Sequence, residues 1–331
     1  MKSLPTLRSA LATAIADYVS LKRALGRKFD SEAYVLIAFD RYLATSYPKA
    51  STLTPQAFAA WSLTMADLSS TTRRARMRIV RNLCLYIHRT DPGAFVPDPA
   101  TFPAPGQPRR PYIFTHDDIA RLLCAADELP ARSTAPLRSE TYRLAIVLLY
   151  TAGLRRGEVV RLRLSDYDPR ERTLLIRASK FHKSRLVALS SDGASEMETF
   201  LVARRRLPHD GDSPLLVSSF RGLRARTGAG LGRGLSHLFQ DAGVRTETGE
   251  LPRVHDLRHT HAVHALLRWY RAGADVQTKL PALATSMGHV SIVSTAHYLA
   301  LLDPVTRLAG ERFADHAAAI IAPSTVSGGA R

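Results

Sequence analysis

Apolar residues recur at helical spacing from the start of the chain. Leu11, Ile15, Tyr18, Leu21 and Leu25 fall on one stripe, and Tyr34, Ile37, Phe39 and Leu43 form a second run. Gly26 separates the two, and Asp30-Ser31 supplies a cap for the second. A third helix is expected to open at Thr54-Pro55, with proline in its first turn, and to run through Phe58, Trp61 and Leu63. A fourth begins near Ser70-Thr71-Thr72 and carries Met77, Val80, Cys84 and Ile87 on its apolar side. The pattern then stops. Residues 96 to 111 are so rich in proline that neither a helix nor a central strand can persist, and an extended linker is expected there.

Helical patterning resumes at Thr115-His-Asp-Asp118, where acidic residues sit at the positive pole of a helix that continues through Ile119, Leu122 and Leu123. Residues 132 to 139 read as a loop and residues 141 to 150 as a buried helix. Leu174, Ile176 and Ala178 alternate with Leu175 and Arg177; after a polar turn, residues 186 to 189 continue, which predicts a short hairpin. Residues 211 to 234 are rich in glycine and arginine around the apolar run Leu215-Leu-Val-Ser, and two readings stay open for them: a charged loop, or backbone contacts to a polyanion through Arg221, Arg224, Arg226 and Arg233. Residues 254 to 298 form the last long stretch, with a turn into a helix at Gly288-His289 and Tyr298 in an apolar, helix-compatible segment; another helical segment follows from Asp303-Pro304 through Leu308, Phe313 and Ile320. The pattern therefore predicts a mainly α protein with a small β-sheet. Its parts are a helical domain over residues 1 to 95, the linker, a mixed α+β domain over residues 112 to 322, and a flexible tail over 323 to 331.

Charge narrows the partner. The 331 residues carry 46 Lys+Arg against 29 Asp+Glu, a formal net charge of +17 with a pI near 10.4, which points to a polyanion and, foremost, to nucleic acid. Residues 1 to 105 hold +7 of that excess and the remainder +10, so both domains are expected to touch the polyanion. On the fourth helix Arg73, Arg74, Arg78, Arg81 and Arg89 fall largely away from the apolar stripe, with no Glu four positions away to neutralise them. A solvated charged face is the plain reading, but arginine's planar fork suits phosphate and the run is all of one sign, so contact with the DNA backbone is expected here.

Cys84 and Cys124 are the only cysteines, each in an apolar helical context, which argues against a disulfide framework and fits a reducing cytoplasm. Residues 144 to 154 are too short an apolar run to cross a bilayer, and Asp17 interrupts the apolar stretch behind Lys2 and Arg8, so neither a membrane span nor a signal peptide is expected. His255, His259, His261 and His264 invite a zinc hypothesis by spacing, but carboxylates are few and cysteine is absent nearby, so no metal is expected.

The chemistry-bearing residues gather late in the chain. His255 and Arg258 are three apart on a helix and share a face, so an imidazole and a guanidinium can converge on one anion. Gly288-His289 offers a second imidazole at a turn, and Tyr298 lies nine positions further on. Upstream come Tyr150-Thr-Ala-Gly-Leu-Arg-Arg-Gly-Glu158 and Ser179-Lys-Phe-His-Lys-Ser-Arg-Leu-Val-Ala-Leu189. Together, and in this order, these boxes resemble the tyrosine recombinase family, or phage integrases, over about residues 115 to 313.

The resemblance implies an N-terminal helical core-binding domain and a mixed α+β catalytic domain that clamp a duplex between them. It also implies a site made of Arg155, Lys180, His255, Arg258, His289 and the nucleophile Tyr298, with Glu158 and His259 in support. The family pattern selects Arg155 over Arg156, and Lys180 over its rival Lys183, although Ser179 and Phe181 replace the family's usual glycines at that turn. Lys183 and Arg185 become ancillary DNA contacts. Glu158 props the active arginine or, read locally, balances a helix dipole.

Such a set suits phosphodiester chemistry, whose barrier an enzyme must lower by about 20 kcal/mol or more. Arg155 and Arg258 would clamp the non-bridging oxygens, each worth about 3 to 4 kcal/mol, and His289 would add a third hydrogen bond. A phenol of ordinary pKa near 10 attacks well only if the cationic pocket favours phenolate or His255 takes its proton. Lys180 is the family's donor to the leaving 5′-oxygen. The resemblance thus implies a site-specific recombinase of a mobile element that needs neither metal, cofactor nor ATP. It is expected to work in the cytoplasm at the nucleoid, as a tetrameric synapse on double-stranded DNA with accessory DNA-bending or sister recombinase proteins. A type IB topoisomerase that only relaxes DNA, and a catalytically idle site-specific DNA-binding accessory protein, are the alternatives.

Overall fold

A computed structural model describes residues 5 to 107, 109 to 177, 184 to 219 and 224 to 288, together with Ser291, Thr295 and Tyr298. The chain divides into two compact units, Met1–Arg109 and Arg110–Arg331.

In the first unit the four expected helices form: α1 (Ala12–Ala24), α2 (Asp30–Ser46), α3 (Pro55–Leu63) and α4 (Ser70–Ile87). Thr54 caps α3 by accepting from the Ala57 amide with Pro55 in the first turn, and Ser69 caps α4 by accepting from the Thr72 amide. The apolar stripes meet in one core of Ile15, Val19, Leu36, Phe39, Trp61, Val80 and Leu83, with the Phe39 and Trp61 rings edge-on at 4.8 Å.

The proline-rich stretch differs from its expected role. Phe102 is buried and stacks 6.0 Å from Phe58, and Phe95 packs on the same ring. Along α4, Arg74 Nη1 donates to Pro103 O at 2.9 Å, Arg81 Nε donates to Pro97 O at 2.9 Å, and Thr71 Oγ1 accepts from the Gly106 amide. Proline has no N–H, so at Pro97 and Pro103 the backbone offers only a carbonyl, and α4's arginines meet both. The stretch is extended but lies on the first unit instead of hanging free. Arg74 and Arg81, expected to face DNA, are tied to it, while Arg73 is half-buried and Arg78 exposed.

In the second unit α6 (Arg138–Thr151) is buried along most of its length and packs against α5 (His116–Asp127), α8 (Ser191–Arg204) and α10 (Val254–Arg271). The helix α7 (Arg156–Val159) is a single turn. A three-stranded antiparallel sheet runs β1 (Tyr167–Asp168), β2 (Thr173–Ile176), β3 (Arg185–Ala188), with Leu174 opposite Val187 and both facing the core. The hairpin expected between β2 and β3 is present at its strands. Residues 178 to 183, which include Lys180 and Lys183, lie outside the described residues.

The glycine-rich region holds β4 (Val217–Ser219), β5 (Arg224–Ala225) and a full helix, α9 (Gly228–Asp241), which glycine content alone argues against. Packing supplies the reason. A Cβ on Gly234 would collide with the Tyr142 hydroxyl of α6, so glycine is what lets the two helices approach. The helix α11 (Val276–Met287) follows α10 and ends at Gly288, whose φ of 65° puts it in the left-handed region. Among the described residues no helix is long and apolar enough to cross a membrane.

If Phe102 is a core residue of the first unit, Phe102→Ala will destabilise that unit by about 3 kcal/mol, as expected for a buried aromatic truncated to alanine. Chemical denaturation of the whole chain in a Trp269→Phe background, where Trp61 is the one tryptophan left to fluoresce, measures it; a free tether would give a change near zero.

Candidate active site

Arg155 precedes α7 in extended backbone, and Glu158 reaches back to it: Oε2 accepts from the Arg155 amide at 2.9 Å and Oε1 from its Nη1 at 3.0 Å. This closes a capping arrangement that fixes the arginine from its own helix. Arg155 Nη2 donates to Gly288 O at 2.9 Å. About a quarter of its side chain, 27%, stays exposed.

Arg258 stands one turn into α10 and is 1% exposed. Its Nη1 donates to Gly153 O, at the end of α6, and its Nη2 to Met287 O, at the end of α11. Burial and then the neighbouring Arg155 charge lower its pKa to about 10, so it remains a cation at neutral pH.

A third guanidinium joins them. Arg185 was expected on the DNA; instead its side chain is 9% exposed and turned inward. Its Nη1 and Nη2 donate to Glu158 Oε1 and Oε2 at 3.0 and 2.9 Å, and its Nε donates to Ser286 O at 2.7 Å. Its inward course has a simple cause. Residues two apart on a strand share a face, so Arg185 points the same way as the buried Val187 and must find a carboxylate there. That alternation was the signal available in the sequence. Burial opposes the charge on Glu158, yet donation from Arg185, the Arg155 amide and both guanidinium charges hold its carboxyl at about 2.

Arg185, Arg258 and Arg155 thus donate to three successive carbonyls, Ser286, Met287 and Gly288. These are orphan acceptors at the negative pole of α11, where cations are favoured.

Tyr298 is 3% exposed and sits in an apolar cluster with Val263, Leu266, Leu280, Leu283 and Met287 of α10 and α11. Its hydroxyl lies 2.9 Å from His259 Nδ1. Burial raises the phenol's pKa, and the charges of Arg258 and Arg155 work in the other direction. The hydroxyl's imidazole partner is therefore His259, not His255 as expected from the sequence. His255 stands one ring further out, 4.7 Å from His259 and nearly perpendicular to it. Its ring keeps solvent access, but crowding by the protein, then His259, Arg258 and Arg155, lowers its pKa to about 4, so it is neutral at pH 7.

Arg155, Glu158, His255, Arg258, His259 and Tyr298 are brought together, with Arg185 added. His289, like Lys180 and Lys183, lies outside the described residues. The four clustered histidines do not share one centre: His261 Nδ1 donates to Tyr150 O at 3.0 Å and His264 Nδ1 pairs with the Tyr150 hydroxyl at 3.0 Å. Among the described residues no group of three or more His, Cys, Asp or Glu could hold a metal ion.

Comparison with known proteins gives the same picture. A family model described as the phage integrase family matches residues 113–304. A protein of Sinorhizobium fredii (strain NBRC 101917 / NGR234) named as an integrase/recombinase, y4rB, is 34% identical over 295 residues, covering 88% of this chain and 93% of its own. Tyrosine recombinase XerD of Mycobacterium tuberculosis (strain ATCC 25618 / H37Rv) is 31% identical over 202 residues, covering 59% of this chain and 58% of its own. The fold is similar to that of the XerH site-specific recombinase bound to palindromic difH substrate in a post-cleavage complex, with a TM-score of 0.62 at 19% identity over 87% of this chain and 78% of that one.

Two half-buried imidazoles set a pH dependence. His261 and His264 each have a pKa lowered from 6.5 to about 4, burial being the first cause in both. The unfolded chain takes up these protons first as pH falls, so the stability they contribute is complete above about 6.5 and is lost progressively toward 4. The Glu158 contribution persists through that window and is lost only from 4.5 toward 2. Melting temperatures across the acid range are expected to fall in the first window, and replacing His261 and His264 with Asn will flatten that fall.

Proposed function

As a member of the phage integrase family of tyrosine recombinases, this chain cuts and rejoins DNA at specific sites, and we propose that it does so through a 3′-phosphotyrosyl bond to Tyr298. The observation that carries this assignment is the convergence of a phenol, its imidazole partner and two guanidiniums at one place, where both arginines act on the phenol's acidity.

The steps follow from the groups present. The N–H donors of Arg155 and Arg258 left over by their carbonyl and carboxylate partners hold the non-bridging oxygens of the scissile phosphate. Negative charge grows there as the nucleophile approaches, and fixed cations that need not reorient lower its cost. His259 takes the phenol proton as the Tyr298 oxygen bonds to phosphorus, and neutral His255 offers a further hydrogen bond beside it. The P–O5′ bond breaks as the new one forms. Lys180 delivers a proton to the departing oxygen, and His289 adds a hydrogen bond to the phosphate. Because the phosphotyrosyl ester conserves the bond energy, a 5′-hydroxyl from a partner duplex reverses the attack without ATP, and no step calls for a metal ion.

Double-stranded DNA is the partner, in keeping with the DNA-bound relatives and the charge of +17. The first unit, with Arg73 and Arg78, grips the backbone as a core-binding module, and the second carries the chemistry. Four protomers assemble on two duplexes, with accessory DNA-bending or sister recombinase proteins. The host element is mobile, and the work is done in the cytoplasm at the nucleoid.

Incubation with duplexes made from the DNA flanking the protein's own coding sequence tests the assignment. The wild type forms a covalent protein–DNA adduct, Tyr298→Phe forms none while still binding, and Arg155→Ala forms it about 10²- to 10³-fold more slowly. An adduct trapped by the Tyr298→Phe protein would overturn it.

A further inference from the structure

Glu158 answers to two arginines at once. Arg185 takes it fork on fork through both carboxylate oxygens, whereas Arg155 reaches only Oε1 with its side chain. This division matters because a carboxylate and a guanidinium left alone pair two-pronged and cancel each other's charge. Glu158 is 1% exposed at its side chain, so water does not compete for it. With its second oxygen held by Arg185 and by the Arg155 amide, it cannot close on the outer edge of Arg155.

The clamp is itself held rigidly. Arg185 Nε is anchored to Ser286 O, and its guanidinium lies flat on Gly288, where an added Cβ would sit 2.8 Å from Nη1 and 3.0 Å from Cζ. Gly288 is also the residue whose carbonyl orients Arg155. The net charge follows: three guanidiniums and one carboxylate leave an excess of positive charge beside Tyr298, and removing Arg185 would leave Arg155 facing an undivided carboxylate.

We infer that Arg185 is a positioning residue for strand cleavage: by occupying Glu158 through both oxygens it keeps that carboxylate from neutralising Arg155, so that Arg155 meets the scissile phosphate as a full cation. The inference rests on the role proposed above for Arg155.

Single-turnover adduct formation on the flanking-DNA duplexes, alongside DNA affinity and melting temperature, tests it. Arg185→Met lowers the adduct rate about 10²-fold, the loss expected when one aimed donor fails, with DNA affinity unchanged. The double variant Arg185→Met/Glu158→Gln recovers about tenfold of that rate, because no carboxylate remains to quench Arg155. A substrate with sulfur in place of the bridging 5′-oxygen, which departs without a proton, leaves the Arg185→Met protein slow, since the defect lies at the non-bridging oxygens.

Wild-type rates in the Arg185→Met protein, full rescue by the sulfur substrate, or a loss that follows the unfolded fraction and is not recovered by the double variant would each overturn the inference alone. An absence of adduct from the wild type would overturn the cleavage mechanism, and the inference with it.

Discussion

The site depends on one short stretch of backbone: the last turn of α11, whose three carbonyls receive Arg185, Arg258 and Arg155 in succession. Three guanidiniums in one small volume repel one another, and burying Arg258 almost completely adds a desolvation cost. The orphan acceptors of a helix C-terminus offset part of this, the Gly153 carbonyl offsets more, and the Glu158 carboxylate pairs with both outer arginines. The balance remains positive. A pocket so arranged is completed by an anion of tetrahedral shape, which a DNA backbone provides at every step.

The phenol feels both sides of this balance. Tyr298 is packed among aliphatic side chains, which disfavours phenolate, while the arginines favour it. A phosphate drawn in by Arg155 and Arg258 would use the same positive potential that acidifies the phenol. Binding and activation therefore draw on one field, and the hydroxyl also has an imidazole, His259, hydrogen-bonded to it.

Much of this was legible in the chain. Ile15, Tyr18, Phe39, Leu43, Phe58, Trp61 and Val80 of α1 to α4, and the start of α3 at Thr54-Pro55, sit where the sequence pattern puts them, because local propensity and burial agree there; Leu21, Leu25, Tyr34 and Leu63, read on the same stripes, stay exposed. The Glu158 prop on Arg155 was implied by the family resemblance, whereas read locally Glu158 offered only a balance to a helix dipole. Other features were not. Arg185 lay in a basic run whose company suggested DNA, and only strand parity with Val187 reveals its inward course. His259 and His255 are one helical turn apart, so spacing alone could not decide which meets a phenol arriving from 39 residues downstream. Phe102 was hidden among prolines, and α9 among glycines, because tertiary packing overrode local preference at both places.

The use of main-chain acceptors has a bearing on how this protein can diverge. A carbonyl is offered whatever the side chain, so half-buried Ser286 can be exchanged without touching its tie to Arg185, whereas Met287 is held by the apolar cluster around Tyr298 and Gly288 by the guanidinium of Arg185. Length is another matter: one residue gained or lost within α11 would rotate its end by about 100° and shift it by about 1.5 Å, presenting the wrong oxygens to all three partners at once. Lineages of this chain should therefore tolerate a point change at Ser286 far more readily than an insertion or deletion upstream of it.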